Sequence, residues 1–262
     1  MVMTTDFTLK IADLLKKGGI EAAGFEAKQI VQFAKSEEDA LVLANKRISG
    51  EPLQYLLGAW EFYGLPFCVG EGVLIPRADT ERLVDIALEI IGDKRIKVAD
   101  LCAGSGAVAV AVAKNSKAEV AAIEKSDIAF CYLERNVKLN GAAVKCIKGD
   151  IFDEYDEKYD LILSNPPYIP TSVIDGLSEE VKKEPKMALD GGEDGLIFYK
   201  HITSAWKRAL NEGGTLAVEI GYDQAESVSA LFKENGFTEI KVYKDFSGND
   251  RVIIGTVIGQ ST

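Results

Sequence analysis

Val98-Ala99-Asp100-Leu101-Cys102-Ala103-Gly104-Ser105-Gly106 is the stretch on which the fold turns. Val98–Leu101 is a short apolar run of strand type, and Ser105–Lys114 is rich in small residues and reads as a helix. Between them the glycines let a ligand approach the backbone, and the helix N-terminus offers free N–H groups to it. One step outward, Val120–Ile123 reads as the next strand. It ends on Glu124, where a carboxylate can accept hydrogen bonds from ribose hydroxyls. Both features fall at the carboxyl ends of strands, where open α/β sheets bind ligands.

The alternation continues toward the C-terminus. Ser126 caps a helix that Asn140-Gly141 ends. Val144–Ile147 and Leu161–Leu163 are strands, Ile197–Leu210 is helical, and Thr215–Ile220 is a strand after Gly213-Gly214. Gln224–Asn235 is a helix. Two closing strands, Thr238–Tyr243 and Arg251–Ile258, have no helix between them and are expected to pair antiparallel. Strand–helix alternation with apolar strands implies an α/β fold whose parallel sheet is covered on both faces.

Toward the N-terminus the character changes. Phe7, Ile11, Leu14 and Leu15 sit at helical spacing until Gly18-Gly19 stops them. Ile30, Val31 and Phe33 mark a second helix. Ser36 caps a third that carries Leu41, Val42 and Ile48, and Ser49–Leu57 is expected to form a fourth, ended by Gly58. Trp60, Phe62, Tyr63, Phe67 and Val69 are strand formers, with Gly64-Leu65-Pro66 and Gly70-Glu71-Gly72 as turns. A helix from about Asp79 carries Leu83, Val84, Ile86, Ala87 and Ile90. The expected division is a helical domain at 1–58, a β-hairpin linker at 59–79 and the sheet domain at 80–262.

Composition narrows the function classes. Apolar residues make up 47% of the 262, enough for a core, and no run reaches the roughly 18 of a membrane span. Met1–Lys17 lacks the basic start, apolar middle and cleavage site of a signal peptide, so a cytoplasmic protein is expected. Net charge is −11, which disfavours a large phosphate-gripping surface and favours a protein or small-molecule substrate. Cys68, Cys102, Cys131 and Cys146 are widely spaced and His201 is the single histidine. No zinc-type cluster is expected, and buried reduced thiols are.

The glycine loop alone leaves its ligand open. Gly104-x-Gly106-x-x-Ala109, with Glu124 about 20 residues on, also fits the dinucleotide fingerprint of a nicotinamide dehydrogenase. A plain tight turn fits as well.

Asn165-Pro166-Pro167-Tyr168 carries more chemistry. Two prolines fix two φ angles and remove two N–H donors, and Pro166 holds Asn165 extended. An asparagine oxygen and a neighbouring carbonyl then form a pair of acceptors. Such a pair matches the two N–H hydrogens of a primary amide or an amino group. Tyr168 offers a face for stacking. An amide nitrogen is a weak nucleophile, and two acceptors on its hydrogens would aim its lone pair at an electrophilic methyl group. The tetrapeptide by itself does not choose between a glutamine amide and an adenine amino group.

With these motifs the chain resembles the HemK-type protein-glutamine N5-methyltransferases, which modify the Gly-Gly-Gln glutamine of peptide chain release factors. The resemblance runs through Ser49-Gly50-Glu51-Pro52-Leu53-Gln54-Tyr55, Phe62-Tyr63-Gly64, Leu74-Ile75-Pro76-Arg77, Asp79-Thr80-Glu81 and the glycine loop. It continues in Asn165–Pro170, Glu184-Pro185, Ala188–Gly192, Asp194-Gly195-Leu196, Glu219-Ile220-Gly221 and Asp250-Arg251. It implies a seven-stranded Rossmann-like S-adenosylmethionine methyltransferase domain behind a helical substrate-docking unit.

It also implies site roles. Cys102, Ala103, Gly104, Ser105 and Gly106 would line the methionine part of the cofactor, with Asp100 and Asn165 also counted as cofactor residues. Glu124 would hold the ribose, and Asp150 and Ile151 would flank the adenine. Asn165, Pro166, Pro167, Tyr168 and Arg77 would hold the substrate glutamine, with Thr80 nearby; Arg77 reads equally as a salt bridge anchoring the hairpin. Asn165, Pro166 and Tyr168 are the expected catalytic residues. Release factors are the implied partners, and a monomer is expected. Three residues depart from the family pattern: Cys102 where glycine is usual, Glu124 where aspartate is, and Ala78 where proline is common. Cys102 requires the backbone there either to avoid positive φ or to carry strain. The competing readings are a ribosomal-protein glutamine or adenine-N6 methyltransferase, an NAD-dependent dehydrogenase, and a binding module without catalysis.

Overall fold

Thr4 opens the first helix by accepting a hydrogen bond from the Phe7 N–H at 3.3 Å, in a computed structural model that describes residues 4–258. Helix α1 (Thr5–Lys17) buries Phe7, Ile11 and Leu15, one residue per turn on one stripe. Helix α2 (Ala23–Phe33) buries Ala23, Ala27 and Ile30, and α3 (Glu37–Ile48) starts at Ser36, which accepts from Asp39 N–H at 3.1 Å. With Leu53 and Leu57 of α4 (Leu53–Leu57) they share a core of their own. The fourth helix is shorter than expected. Gly50 sits at φ 95°, and the turn through it and Pro52 leaves only Leu53 onward helical.

Strands β1 (Ala59–Phe62) and β2 (Leu65–Cys68) form a two-stranded antiparallel hairpin. Its turn is Tyr63-Gly64, both at positive φ, not Gly64-Leu65-Pro66. Pro66 instead lies in the strand opposite Glu61, where a two-stranded ribbon tolerates a missing N–H. Helix α5 (Glu81–Ile91) follows a single 3₁₀ turn at Ala78–Thr80.

The main sheet has seven strands in the order β5-β4-β3-β6-β7-β9-β8. They are β3 (Lys97–Leu101), β4 (Glu119–Glu124), β5 (Val144–Lys148), β6 (Tyr159–Ser164), β7 (Leu210–Glu219), β8 (Thr238–Lys244) and β9 (Asp250–Thr256). The first five are parallel; β9 runs antiparallel to both β7 and β8, between which it is inserted. Strand β7 begins at Leu210, earlier than Thr215, because Leu210 pairs with Tyr159 before an irregularity that takes up Asn211–Gly214.

Helices α5, α6 (Ala107–Asn115) and α7 (Asp127–Asn140) bury their apolar residues with one face of the sheet. Helices α9 (Ile197–Ser204) and α10 (Ala225–Glu234) do so with the other. Short α8 (Thr171–Ile174) lies in a proline- and charge-rich segment with no readable period. The strand order reverses beside β3, so the loops leaving β3 and β6 open onto one crevice.

All four cysteines are free, but none is fully buried as expected: Cys131 on α7 is exposed, and Cys68, Cys102 and Cys146 are half-buried. Among the described residues no helix is long and apolar enough to cross a membrane, and no group of acidic, histidine and cysteine side chains could hold a metal.

Candidate active site

The glycine loop is built on three left-handed residues: Cys102 at φ 57°, Gly104 at 55° and Gly106 at 80°. Cys102 therefore takes the strained option, at a cost of about 1–2 kcal/mol. The Ala103 N–H donates to the Ile123 carbonyl at 3.0 Å and the Ser164 hydroxyl to the Leu101 carbonyl at 2.9 Å, which holds the loop across the sheet. Asp100 lies behind it, away from the cleft. Its carboxylate accepts the Ala109 N–H at 3.0 Å, one of the orphan donors of the first turn of α6. Burial pushes the Asp100 carboxyl up to about 8, against that hydrogen bond and with help from the Glu124 charge.

Above the loop is a cleft of about 430 Å³ lined by Cys102, Gly104, Glu124, Asp150, Ile151, Asn165 and Pro167, with Leu74, Phe152, Met187 and Phe198. Seven residues picked from sequence thus share one cavity, although they come from four separate loops. Ala103, Ser105 and Gly106 shape the loop from behind; Pro166, Tyr168 and Arg77 stand outside the cavity wall. A side chain at Gly104 would meet no protein atom, so the backbone there faces open space.

Glu124 accepts the Gly104 N–H at 2.8 Å on one oxygen and the Ser126 N–H at 2.6 Å on the other. Burial raises its pKa, and these N–H groups oppose the rise. A carboxylate has about four acceptor sites, so two remain for a vicinal diol. Asp150 accepts from the Phe152 N–H at 3.1 Å and pairs with Lys125 at 2.6 Å. Ile151 is buried, and Phe152 packs edge-on against Phe198, giving this end an apolar wall. A diol acceptor, an apolar slot and an open glycine backbone together suit an adenosine-bearing ligand.

Asn165 leaves β6 with its Nδ2 donating to the Thr80 hydroxyl at 3.1 Å. The Tyr168 carbonyl accepts from Gln224 Nε2 at 3.0 Å, and Ile169 bridges to the strand-like segment at Asp190. The arm needs bare backbone opposite it. A Cβ at Gly195 would sit 2.4 Å from the Tyr168 oxygen and 2.8 Å from Gln224 Nε2, and Gly195 is at φ 71°. Gly195→Ala is therefore expected to displace the arm, lowering stability by about 1–3 kcal/mol and methyl transfer more than tenfold. Thermal melting and a turnover assay on the same sample check both. Burial pushes the Tyr168 phenol up to about 12, with Glu219 adding to the rise.

Arg77 takes the salt-bridge reading: its guanidinium pairs with the buried carboxylate of Glu184, which also accepts the Ile75 N–H at 3.0 Å. Burial pushes Glu184 up, and the Arg77 charge opposes this. The pair ties Ile75-Pro76-Arg77 to the segment beyond the Asn165 arm. Sequence reasoning gave no role to Glu219, Gln224, Glu184 or Asn136. Glu219 and Glu184 lie in quoted motifs, but only the folded chain shows what they touch.

The family model described as "Methyltransferase small domain" matches residues 85–212. The chain is 45% identical over 218 residues to the release factor glutamine methyltransferase of Geobacter sulfurreducens, covering 82% of this chain and 76% of that one. It is 40% identical over 260 residues to the protein of the same name in Agrobacterium fabrum, covering 95% and 88%. In fold it is similar to a methyltransferase from Pyrococcus furiosus, with a TM-score of 0.58 at 21% identity over 86% of this chain and 100% of that one. Identity of this extent carries through both the helical unit and the sheet domain, and the chain belongs to the release factor glutamine methyltransferase family.

Proposed function

We propose that this protein transfers a methyl group from S-adenosylmethionine to the side-chain amide nitrogen, N5, of the Gly-Gly-Gln glutamine of peptide chain release factors. The observation that carries the reading is the Asn165 carboxamide. Its nitrogen is committed to Thr80, which leaves its oxygen available at a cleft that Glu124 and Cys102 also line. Its relatives bear the name of this activity.

Bound S-adenosylmethionine supplies an electrophilic methyl on a positively charged sulfur. Loop residues Cys102–Gly106 would hold its methionine part, Glu124 its ribose diol, and Asp150 and Ile151 its adenine. Asn165 Oδ1 and the Pro166 carbonyl accept the two N–H hydrogens of the substrate amide. That fixes the amide plane and aims the nitrogen lone pair along one line, a gain of alignment and preorganised dipoles. Tyr168 and the two prolines keep the arm stiff. No strong base is required, because the amide becomes acidic only once it is alkylated. The four N-terminal helices would serve to dock the release factor.

Incubation with labelled S-adenosylmethionine and a release factor carrying Gly-Gly-Gln or Gly-Gly-Ala tests this. Label is expected on the first alone. Equal label on both sinks the proposal.

A further inference from the structure

Asn165 has two ends of nearly the same shape and opposite hydrogen-bonding character. Turned over, it would present N–H donors to the donors of the substrate amide. What holds it the right way round is a question about Thr80. The Asn165 Nδ2 donates to the Thr80 hydroxyl at 3.1 Å. A hydroxyl both accepts and donates, so Thr80 alone would equally well donate to the Asn165 oxygen. The direction depends on where the Thr80 proton goes.

Glu219 stands behind them at the end of β7, adjacent to β6 in the sheet. It is 2% exposed, its Oε2 has no hydrogen-bond partner among the described residues, and it lies off the cleft wall. The Thr80 hydroxyl and the Asn165 amide both favour its charged form. We propose that Glu219 is a positioning residue that, through the Thr80 hydroxyl, sets which end of the Asn165 carboxamide faces the substrate. This rests on the role given to Asn165 above.

An ionised carboxylate only accepts. It accepts a hydrogen bond from the Thr80 hydroxyl, which then turns its lone pairs to Asn165 Nδ2, and Oδ1 faces the cleft. A neutral carboxyl has a donor of its own. It can donate to Thr80, which then donates to Asn165 Oδ1 and leaves the amide nitrogen facing the cleft. The charge on Glu219 thereby selects between two directions of one hydrogen-bond chain.

The surroundings of Glu219 are mixed. Burial pushes its carboxyl up to about 7, opposed by Thr80, Arg251 of β9 and Asn165, and reinforced by Asp79. Asp245 takes part of the Arg251 charge at 3.0 Å. The Tyr168 and Tyr199 phenols face the same region and stay neutral, and Tyr199 donates to the Glu219 carbonyl at 2.8 Å. Above about pH 7 Glu219 is charged and the productive direction holds; below it that direction is lost.

The test is the pH profile of kcat at saturating S-adenosylmethionine and release factor. The parent enzyme is expected to fall on the acid side with a midpoint near 7. Glu219→Gln is expected to lower kcat about tenfold at pH 8, to abolish that acid limb, and to leave the cofactor dissociation constant within about threefold. An acid limb unmoved in Glu219→Gln overturns the proposal. Thr80→Val is expected to lose more than about tenfold in kcat and Thr80→Ser to recover most of that loss. Equal turnover in the two overturns the proposal even if Glu219→Gln does not fold. If Asn165→Ala keeps its activity, the fault lies with the reading of Asn165 and not with Glu219.

Discussion

Asn165→Ala is expected to bind S-adenosylmethionine within about threefold of the parent and to lose methyl transfer on the order of 10³-fold. The substitution removes an acceptor that matters only when the substrate amide is in place. It also frees Thr80, whose hydroxyl loses its 3.1 Å partner but keeps Glu219 within reach. The backbone of the arm should stay, because Pro166, Pro167 and the Gln224–Tyr168 hydrogen bond hold it independently. Titration calorimetry with the cofactor and a single-turnover assay with release factor separate the two quantities. Loss of cofactor affinity to the same degree as loss of transfer would make Asn165 a cofactor ligand.

Glu124→Ala is expected to do the reverse, weakening S-adenosylmethionine binding on the order of 10²–10³-fold. Turnover should recover at high cofactor concentration. Two effects add. Hydrogen bonds to a charged acceptor contribute about 1.5–3 kcal/mol each, and the ribose diol would lose two. The Gly104 and Ser126 N–H groups would also lose the acceptor that now orders them at 2.8 and 2.6 Å. Calorimetry gives the affinity directly, and a dissociation constant within threefold of the parent would remove Glu124 from the cofactor site. The pair of variants makes a double dissociation: one loses chemistry and keeps binding, the other loses binding and keeps chemistry.

Much of the architecture was legible because it rests on local signals. Ser36, Ser126 and Gly141 mark helix ends by hydrogen bonds to residues close in sequence. The antiparallel closing strands follow from the absence of a helix between them. The seven cleft residues named from sequence were recoverable for a similar reason. Each sits at or just after the carboxyl end of a strand, and parallel strands deliver those ends to one side. What stayed hidden depends on partners far away in sequence. Arg77 reads as a substrate residue or as a salt-bridge anchor alike until Glu184, 107 positions on, is seen to pair with it. Asp100 reads as part of the loop until its carboxylate is seen under α6. Cys102 poses a choice between strain and rearrangement that only its φ of 57° resolves. The turn of the hairpin was misread because Pro66 suggests a turn wherever it occurs, and only its pairing with Glu61 shows a strand.

Asn136 shows what such distant partners do. It is fully buried on α7 and satisfies three backbone groups at once. It accepts the Cys68 N–H at 2.7 Å and donates to the Cys68 carbonyl at 3.0 Å and the Ser105 carbonyl at 2.9 Å. These bonds span 68 and 31 positions. Loop-closure entropy must be met before contacts of that span stabilise anything, so they form after local helices and turns. A chain still emerging from the ribosome can make its hairpin and its glycine loop, but it cannot join them until α7 has followed. The glycine loop is thus expected to lock into place only once α7 has docked, through a residue that lines no part of the cleft.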